Sequence, residues 1–200
     1  MSKRPNTEQR RSEIVNALLS TIAECGYAKA TIQLIAQKAG LSPGLLHYHF
    51  KTKAEILLEL VKTLAALPQQ RYAVFAAAAQ TPEERLMAYI NARLSKGEGA
   101  NPTAVAAWVM IAAEAVRQPE VRKIYQQAIS AELALIEELL ADYLQSMGQS
   151  AQEVERLAAG LLALMEGAFQ LACAAPGTLP GGYAAEMAIK LVRGAVESKA

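Results

Sequence analysis

Only two cysteines occur in 200 residues, Cys25 and Cys173, far apart and without the spacing of a zinc site or the density of a secreted disulfide framework. Histidine is as scarce. His47 and His49 are the only two, so the rest of the chain has no His general base and no imidazole-rich metal site. A glycine-rich phosphate loop and a nucleophile beside a base are also missing, and together these gaps argue against an enzyme. No cofactor or metal is expected. Aromatic side chains make up 6% of the chain, and no long stretch alternates at period two, which excludes a sheet protein. The polar amino terminus has no apolar core of the kind a signal peptide needs, so a reducing cytoplasm is the expected location.

What is present is 52% hydrophobic and 20% charged, with Ala and Leu supplying most of the apolar fraction. Both are good helix formers, and the length suffices for a core without covalent staples. From Leu157 to Ala175 the only polar side chains are Glu166 and Gln170. That run approaches a membrane span in length, but it is Ala-rich, carries a mid-segment carboxylate and lacks a basic flank. A buried helix is expected there.

Punctuation divides the chain into nine or ten helices with no sheet, an all-α architecture. Asn6, with Gln9 three residues on, is placed to cap a first helix that Gly26 stops. A second follows Thr31, with Ile32, Ile35, Ala36 and Ala39 at helical spacing, and ends at Gly40. Ser42 caps a short third helix whose first residue is Pro43. Thr52 to Glu55 reads as a capping box opening a fourth helix, which Pro68 is expected to break or kink. Thr81-Pro82-Glu83-Glu84, Asn101-Pro102, Gln118-Pro119 and Ser150 to Glu153 mark further starts, the last as another capping box. A loop from Pro176 to Gly182 precedes a final helix.

Charge is unevenly spread. Residues 1–53 hold Lys3, Arg4, Arg10, Arg11, Lys29, Lys38, Lys51 and Lys53 against Glu8, Glu13 and Glu24, a net +5 in a chain of net +1. The remainder is therefore acidic. A basic first quarter suits a polyanion partner, although chance clustering on a helical surface gives the same count.

Thr31 to Phe50 separates the two readings. Two short helices flank Gly40-Leu41-Ser42, the spacing of a helix-turn-helix. In the second, Leu46 and Phe50 are four apart and point inward, which leaves Gly44, Leu45, His47, Tyr48 and His49 outside, followed by Lys51 and Lys53. Such a patch suits phosphate contact; the alternative is that Tyr48 and the histidines cap a small core. Expected at DNA are Thr31, Gln33, Ser42, Pro43, Gly44, Leu45, His47, Tyr48, His49, Lys51 and Lys53. Within that set, Gly44, Leu45 and His47 are expected near base edges, and Tyr48 and Lys53 at phosphates.

Thr31 to Leu57 closely resembles the tetracycline-repressor (TetR) family of transcriptional regulators. The match lies at Thr31, Ile35, Ala36, Ala39, Gly40, Leu41, Ser42, Gly44, Leu46, His49, Phe50, Lys53 and Ile56. Where the family carries a tyrosine this chain has His47, with Tyr48 beside it, so the phosphate role of that tyrosine falls to one of the two. Trp108, Glu114, Ala115, Pro119 and Arg122 also resemble the choline-repressor (BetI-like) branch. The resemblance implies a DNA-binding domain over residues 1–53 and an effector-binding and dimerisation domain over 54–200. It implies a ligand-responsive regulator, a repressor that a small molecule releases from its operator. An architectural DNA binder without effector is the alternative, and an all-α enzyme a more distant one.

The acidic part bears on that choice. Between Ala151 and Ala175, Val154, Leu157, Leu161, Leu164, Ala168 and Leu171 form one apolar stripe, and Ala158, Leu162, Met165, Phe169 and Ala172 a second. A lone surface helix needs one. The first stripe, with Ile189 and Val192 of the last helix, is assigned to a homodimer interface; a helix central to one large core is the other reading. A two-fold dimer presents its reading helices about 34 Å apart, one turn of duplex. Candidate effector contacts are Tyr72, Phe75, Tyr89, Trp108, Met110 and Ile111, together with Glu114, Tyr125, Met165, Glu166, Phe169 and Gln170. Each also suits ordinary core. If Glu114 and Glu166 line one cavity with Trp108, a cationic ligand follows from ion pairing and cation–π attraction.

Overall fold

The computed structural model describes residues 7–95 and 101–197. Among them are nine α-helices, one 3-10 turn and no strand. The helices are α1 (Thr7–Cys25), α2 (Ile32–Lys38), α3 (Pro43–His49), α4 (Lys53–Ala76), α5 (Pro82–Leu94), α6 (Pro102–Arg117), α7 (Pro119–Ser146), α8 (Val154–Ala174) and α9 (Tyr183–Glu197). The Asn6 cap lies outside the described residues.

Most boundaries follow local chemistry. Thr31, Ser42 and Thr81 each accept a backbone N–H of the first turn they precede. At Thr81 the capping box is complete, because the Glu84 carboxylate accepts from the Thr81 and Gln80 amides at 3.1 and 2.7 Å. Those bonds hold the Glu84 carboxyl below the usual carboxylate range.

Three starts and stops differ from expectation. Thr52 accepts from the Glu55 amide at 3.1 Å, but the Glu55 carboxylate reaches the amide of Lys51, one residue earlier than a capping box. No capping box forms at Ser150. Residues 151–153 make a 3-10 turn, and α8 then opens from Glu153 with no side-chain cap. Pro68 lies inside α4 and does not end it. Proline lacks the N–H that would bond Leu64 O, yet eight residues of helix follow it.

Packing divides the chain into two compact units, each with contributions from separate stretches. The first comprises residues up to Ala65 with Pro102–Ala128, and the second Ala66–Asn101 with Ile129–Ala200. In the first unit α1 packs on α2, α3 and α6, and Ile14, Leu18, Ile22, Ile35, Leu46 and Ile111 are wholly buried. In the second, α5, α8 and α9 pack on one another around Leu86, Ile90, Ile136, Leu140, Leu161 and Val192.

Among the described residues one helix, Val154–Ala174, is long and apolar enough to cross a membrane by length and composition alone. Its Val154, Ala158, Leu161, Leu162, Met165 and Ala168 are buried in the second unit's core.

Candidate nucleic-acid interface

The turn between α2 and α3 is built from three residues with separate tasks. Gly40 stops α2 in the left-handed region (φ +66°). Its N–H bonds Gln37 O at 3.1 Å, and the Leu41 N–H bonds Ala36 O at 2.9 Å, which is the Schellman pattern. Ser42 then accepts from the Leu45 amide at 3.2 Å and starts α3.

The third helix, α3, turns one edge inward. Leu46 and Phe50 are buried, while Gly44 and His47 are exposed, as are Leu45 at 41% and Tyr48 at 71%. A large aromatic ring left this open on an otherwise anchored helix is poor core material. Thr31, Gln33, Ser42, Pro43 and Lys51 are also exposed. The Thr31 and Ser42 hydroxyls are engaged as caps.

Two expected DNA residues sit differently from the outward placement read in the sequence. His49 is half-buried, its ring edge-on to Tyr48 at 5.1 Å and its Nδ1 enclosed without a partner. Lys53 turns inward. Its Nζ donates to Tyr27 O at 3.0 Å and lies 4.1 Å from the centre of the Tyr27 ring. Burial pushes the Lys53 ammonium below its ordinary pKa against the pull of Glu114 and Glu120. The Tyr27 hydroxyl is pushed up to about 12, by burial first and then by Glu120 and Glu114.

The basic count of this region is also partly neutralised locally. Arg10 pairs with Glu13 at 2.7 Å, Arg11 with Glu59 at 3.5 Å, and Lys38 with Glu24. Arg11 has a further role that sequence reasoning missed. Its Nη1 donates to His49 O at 2.9 Å and its guanidinium lies 4.1 Å over Phe50, so α1 holds the carboxyl end of α3. Charge alone gave no signal for that contact, which spans 38 positions of sequence.

The twelve effector candidates fall in both packing units. Trp108, Met110, Ile111, Glu114 and Tyr125 belong to the first, where the Trp108 and Tyr125 rings meet tilted with centroids 5.0 Å apart and Ile111 is buried. Glu114 accepts from Gln118, and Arg122 bonds the Ala115 and Val116 carbonyls at 2.9 and 2.6 Å, closing the end of α6. Tyr72, Phe75, Tyr89, Met165, Glu166, Phe169 and Gln170 belong to the second unit. Phe75 and Gln170 are exposed there, and Met165 is core.

Of the other four, Tyr89, Glu166 and Phe169 converge on two residues the sequence reading overlooked, Arg93 and Glu132, and Tyr72 packs on Tyr89. Tyr89 donates its hydroxyl to Glu132 and meets Tyr72 edge-on at 5.8 Å. Arg93 lies 3.1 Å from Glu132, 3.8 Å from Glu166 and 5.0 Å from the Phe169 ring. Its Nε is enclosed without a hydrogen bond, so the contact with Glu132 is one of charge. Burial, then Glu132, push the Tyr89 hydroxyl well above its ordinary pKa, so it remains a donor.

The expected dimer stripe is corrected by the packing. Leu161, Ala168 and Val192 are buried in the chain's own core, Leu157, Leu164 and Ile189 pack half-buried against or beside it, and only Leu171 is exposed. The chain covers much of both stripes itself, since Ala158, Leu162 and Met165 of the second are buried as well. The open face carries Ala159, Ala163, Gly167 and Leu171 of α8, with Met187 and Leu191 of α9.

An anchored helix-turn-helix on an all-helical chain defines a helix-turn-helix DNA-binding regulator. The family model for bacterial regulatory proteins of the tetR family matches residues 14–60, and that for the BetI-type transcriptional repressor C-terminal region matches 82–198. The HTH-type transcriptional regulator BetI of Rhizobium meliloti is 31% identical over 163 residues, 80% of this chain and 76% of that protein. BetI of Brucella anthropi is 28% identical over 80% of this chain and 79% of its own length.

Solved structures share the fold. A candidate transcriptional regulator from Pseudomonas aeruginosa superposes with a TM-score of 0.82 at 22% identity, over 97% of this chain and 93% of that one. One from Saccharomonospora viridis, solved in complex with choline, gives 0.71 at 23% identity over 95% and 96%. The chain belongs to the TetR family of bacterial transcriptional regulators, in its BetI-type branch. It is a ligand-responsive DNA-binding regulator and not an enzyme.

Proposed function

We propose that the chain acts in the cytoplasm as a homodimeric repressor that holds an operator duplex through residues 1–53 and releases it when a small organic cation binds residues 54–200. The observation that carries the DNA half is the exposed face of α3, with Leu45 41% and Tyr48 71% open on a helix anchored by Leu46 and Phe50. Gly44, Leu45 and His47 meet base edges near the start of the helix. Tyr48 and Lys51 meet phosphates, with Thr31, Gln33, Ser42, Pro43 and His49 flanking the contact. The open apolar face of α8 and α9 supports the homodimer, since its small residues admit a close crossing of helices from a second copy.

The cation half is supported by the Arg93, Glu132 and Glu166 cluster, two carboxylates against one guanidinium beside Tyr72, Tyr89 and Phe169. An incoming cation meets the two carboxylates and the aromatic faces together. Choline, the ligand of the Saccharomonospora viridis relative, is the first probe. The DNA reading is tested by mobility shift on the duplex upstream of the protein's own coding sequence at several salt concentrations. Binding that weakens steeply with salt supports it; no binding at low salt, or none of that dependence, overturns it.

A further inference from the structure

Tyr27 closes the turn between α1 and α2. Its carbonyl accepts from the Ala30 amide at 3.1 Å and, on its other side, from the Lys53 ammonium at 3.0 Å. The same ammonium sits 4.1 Å over the Tyr27 ring, which is itself 2% exposed. Lys53 is the first residue of α4 and comes four positions after the last residue of α3. Its inner contacts therefore tie the exit of α3 to the turn that sets the start of α2. Helix α6 backs this corner. Met110 Cε lies 4.0 Å from where a Cβ on Gly26 would stand, and Glu114 follows one turn later on the same face.

We propose that Lys53 is a positioning residue, latching the first turn of α4 onto Tyr27 and so fixing the angle at which α3 meets DNA, rather than neutralising a phosphate. The carboxylates of Glu114 and Glu120 favour the charged form of this half-buried ammonium against the larger effect of burial. Arg11 also acts at this carboxyl end of α3, through His49 O. Lys51, in contrast, is exposed, and its ammonium bonds the carbonyl of His47 in its own stretch at 3.2 Å, which leaves it to the solvent side. This inference rests on the DNA-binding reading above.

The test uses the full chain and a duplex that the unaltered protein selects from a randomised pool. Lys53→Met is expected to lower affinity by about tenfold, the loss of one charge-assisted hydrogen bond, while the slope of log affinity against log salt is unchanged. Lys53→Arg is expected to restore most of it, because a guanidinium can bond the same carbonyl and ring. Lys51→Met supplies the reference behaviour, a slope reduced by about one. Should Lys53→Met not fold, the unaltered protein decides by NMR. Over a ring, the Lys53 ε-protons are shifted upfield, and that shift is expected to persist in the DNA complex. A slope reduced by about one in Lys53→Met, unchanged affinity, or loss of the upfield shift on DNA binding overturns the latch alone. Failure of the unaltered chain to select any duplex at low salt overturns the DNA-binding reading as well.

Discussion

Gly40 is the residue on which the interface turns. Its φ of +66° lies where a side chain is strained, yet nothing stands within 4 Å of the Cβ an alanine would add. Gly40→Ala is therefore expected to cost about 1 kcal/mol through the backbone alone, with no clash to relieve. Urea unfolding checks that value, and a cost several times larger would mean that packing contributes. At the exposed residues the expectation concerns DNA. Lys51→Ala is expected to weaken binding to all duplexes alike and to reduce the salt slope by about one. His47→Ala is expected to change which sequence is selected while the slope stays put. Selection from a random pool, repeated with each variant, reads both.

At the scale of elements, α8 and α9 show how one helix serves two surfaces. The Leu161 side chain is wholly buried, so Leu161→Glu places an unpaired carboxylate in the core and is expected to cost about 3 kcal/mol or more, unfolding the chain rather than only separating two copies. Ala163→Glu, two residues on and exposed, is expected to leave the fold intact and abolish the dimer. Sedimentation and circular dichroism on the pair distinguish the two effects; a full dimer in Ala163→Glu removes that face from the interface. Helix α5 supplies a pH expectation. The folded Glu84 carboxyl lies below its ordinary 4.5, so its contribution is complete above that pH and is lost as pH falls through the folded value. The Tm gap between the native chain and Glu84→Gln is thus expected to be present at neutral pH and to close in acid below 4.5.

For the molecule as a whole, two helices run through a change of packing unit, α4 at Ala65 and α7 at Ala128, and α4 starts at Lys53 directly after α3. A ligand shifts an equilibrium only by its differential affinity for two states, and a hundredfold preference is worth about 2.7 kcal/mol. Choline at saturation is expected to raise Tm and to weaken operator binding by up to about a hundredfold per site. Glu132→Gln, which removes a carboxylate of the Arg93 cluster, is expected to blunt both responses. A ligand that stabilises the protein but leaves operator affinity unchanged would make residues 54–200 a scaffold.

The helix-turn-helix was legible because its signals are local: Thr31, Gly40 and Ser42 act through bonds to residues three or four positions away, and Pro43 opens α3 where its missing N–H costs nothing. The same holds for the helix starts at Thr81 and Pro119 and for the inward turn of Leu46 and Phe50. Long-range packing decided the rest. Whether Leu161 or Ala163 faces the core depends on α5 and α9, not on the period of α8. The ammonium of Lys53 goes to a carbonyl 26 positions away, and Glu132 meets Tyr89 across 43. The sequence by itself determined where most helices begin, because backbone capping is satisfied within one turn; the start of α8 at Val154 and the passage of α4 through Pro68 are the exceptions. Only the tertiary structure decided what each charge and each second apolar face is for, because those partners are far apart in the chain and adjacent only once it has folded.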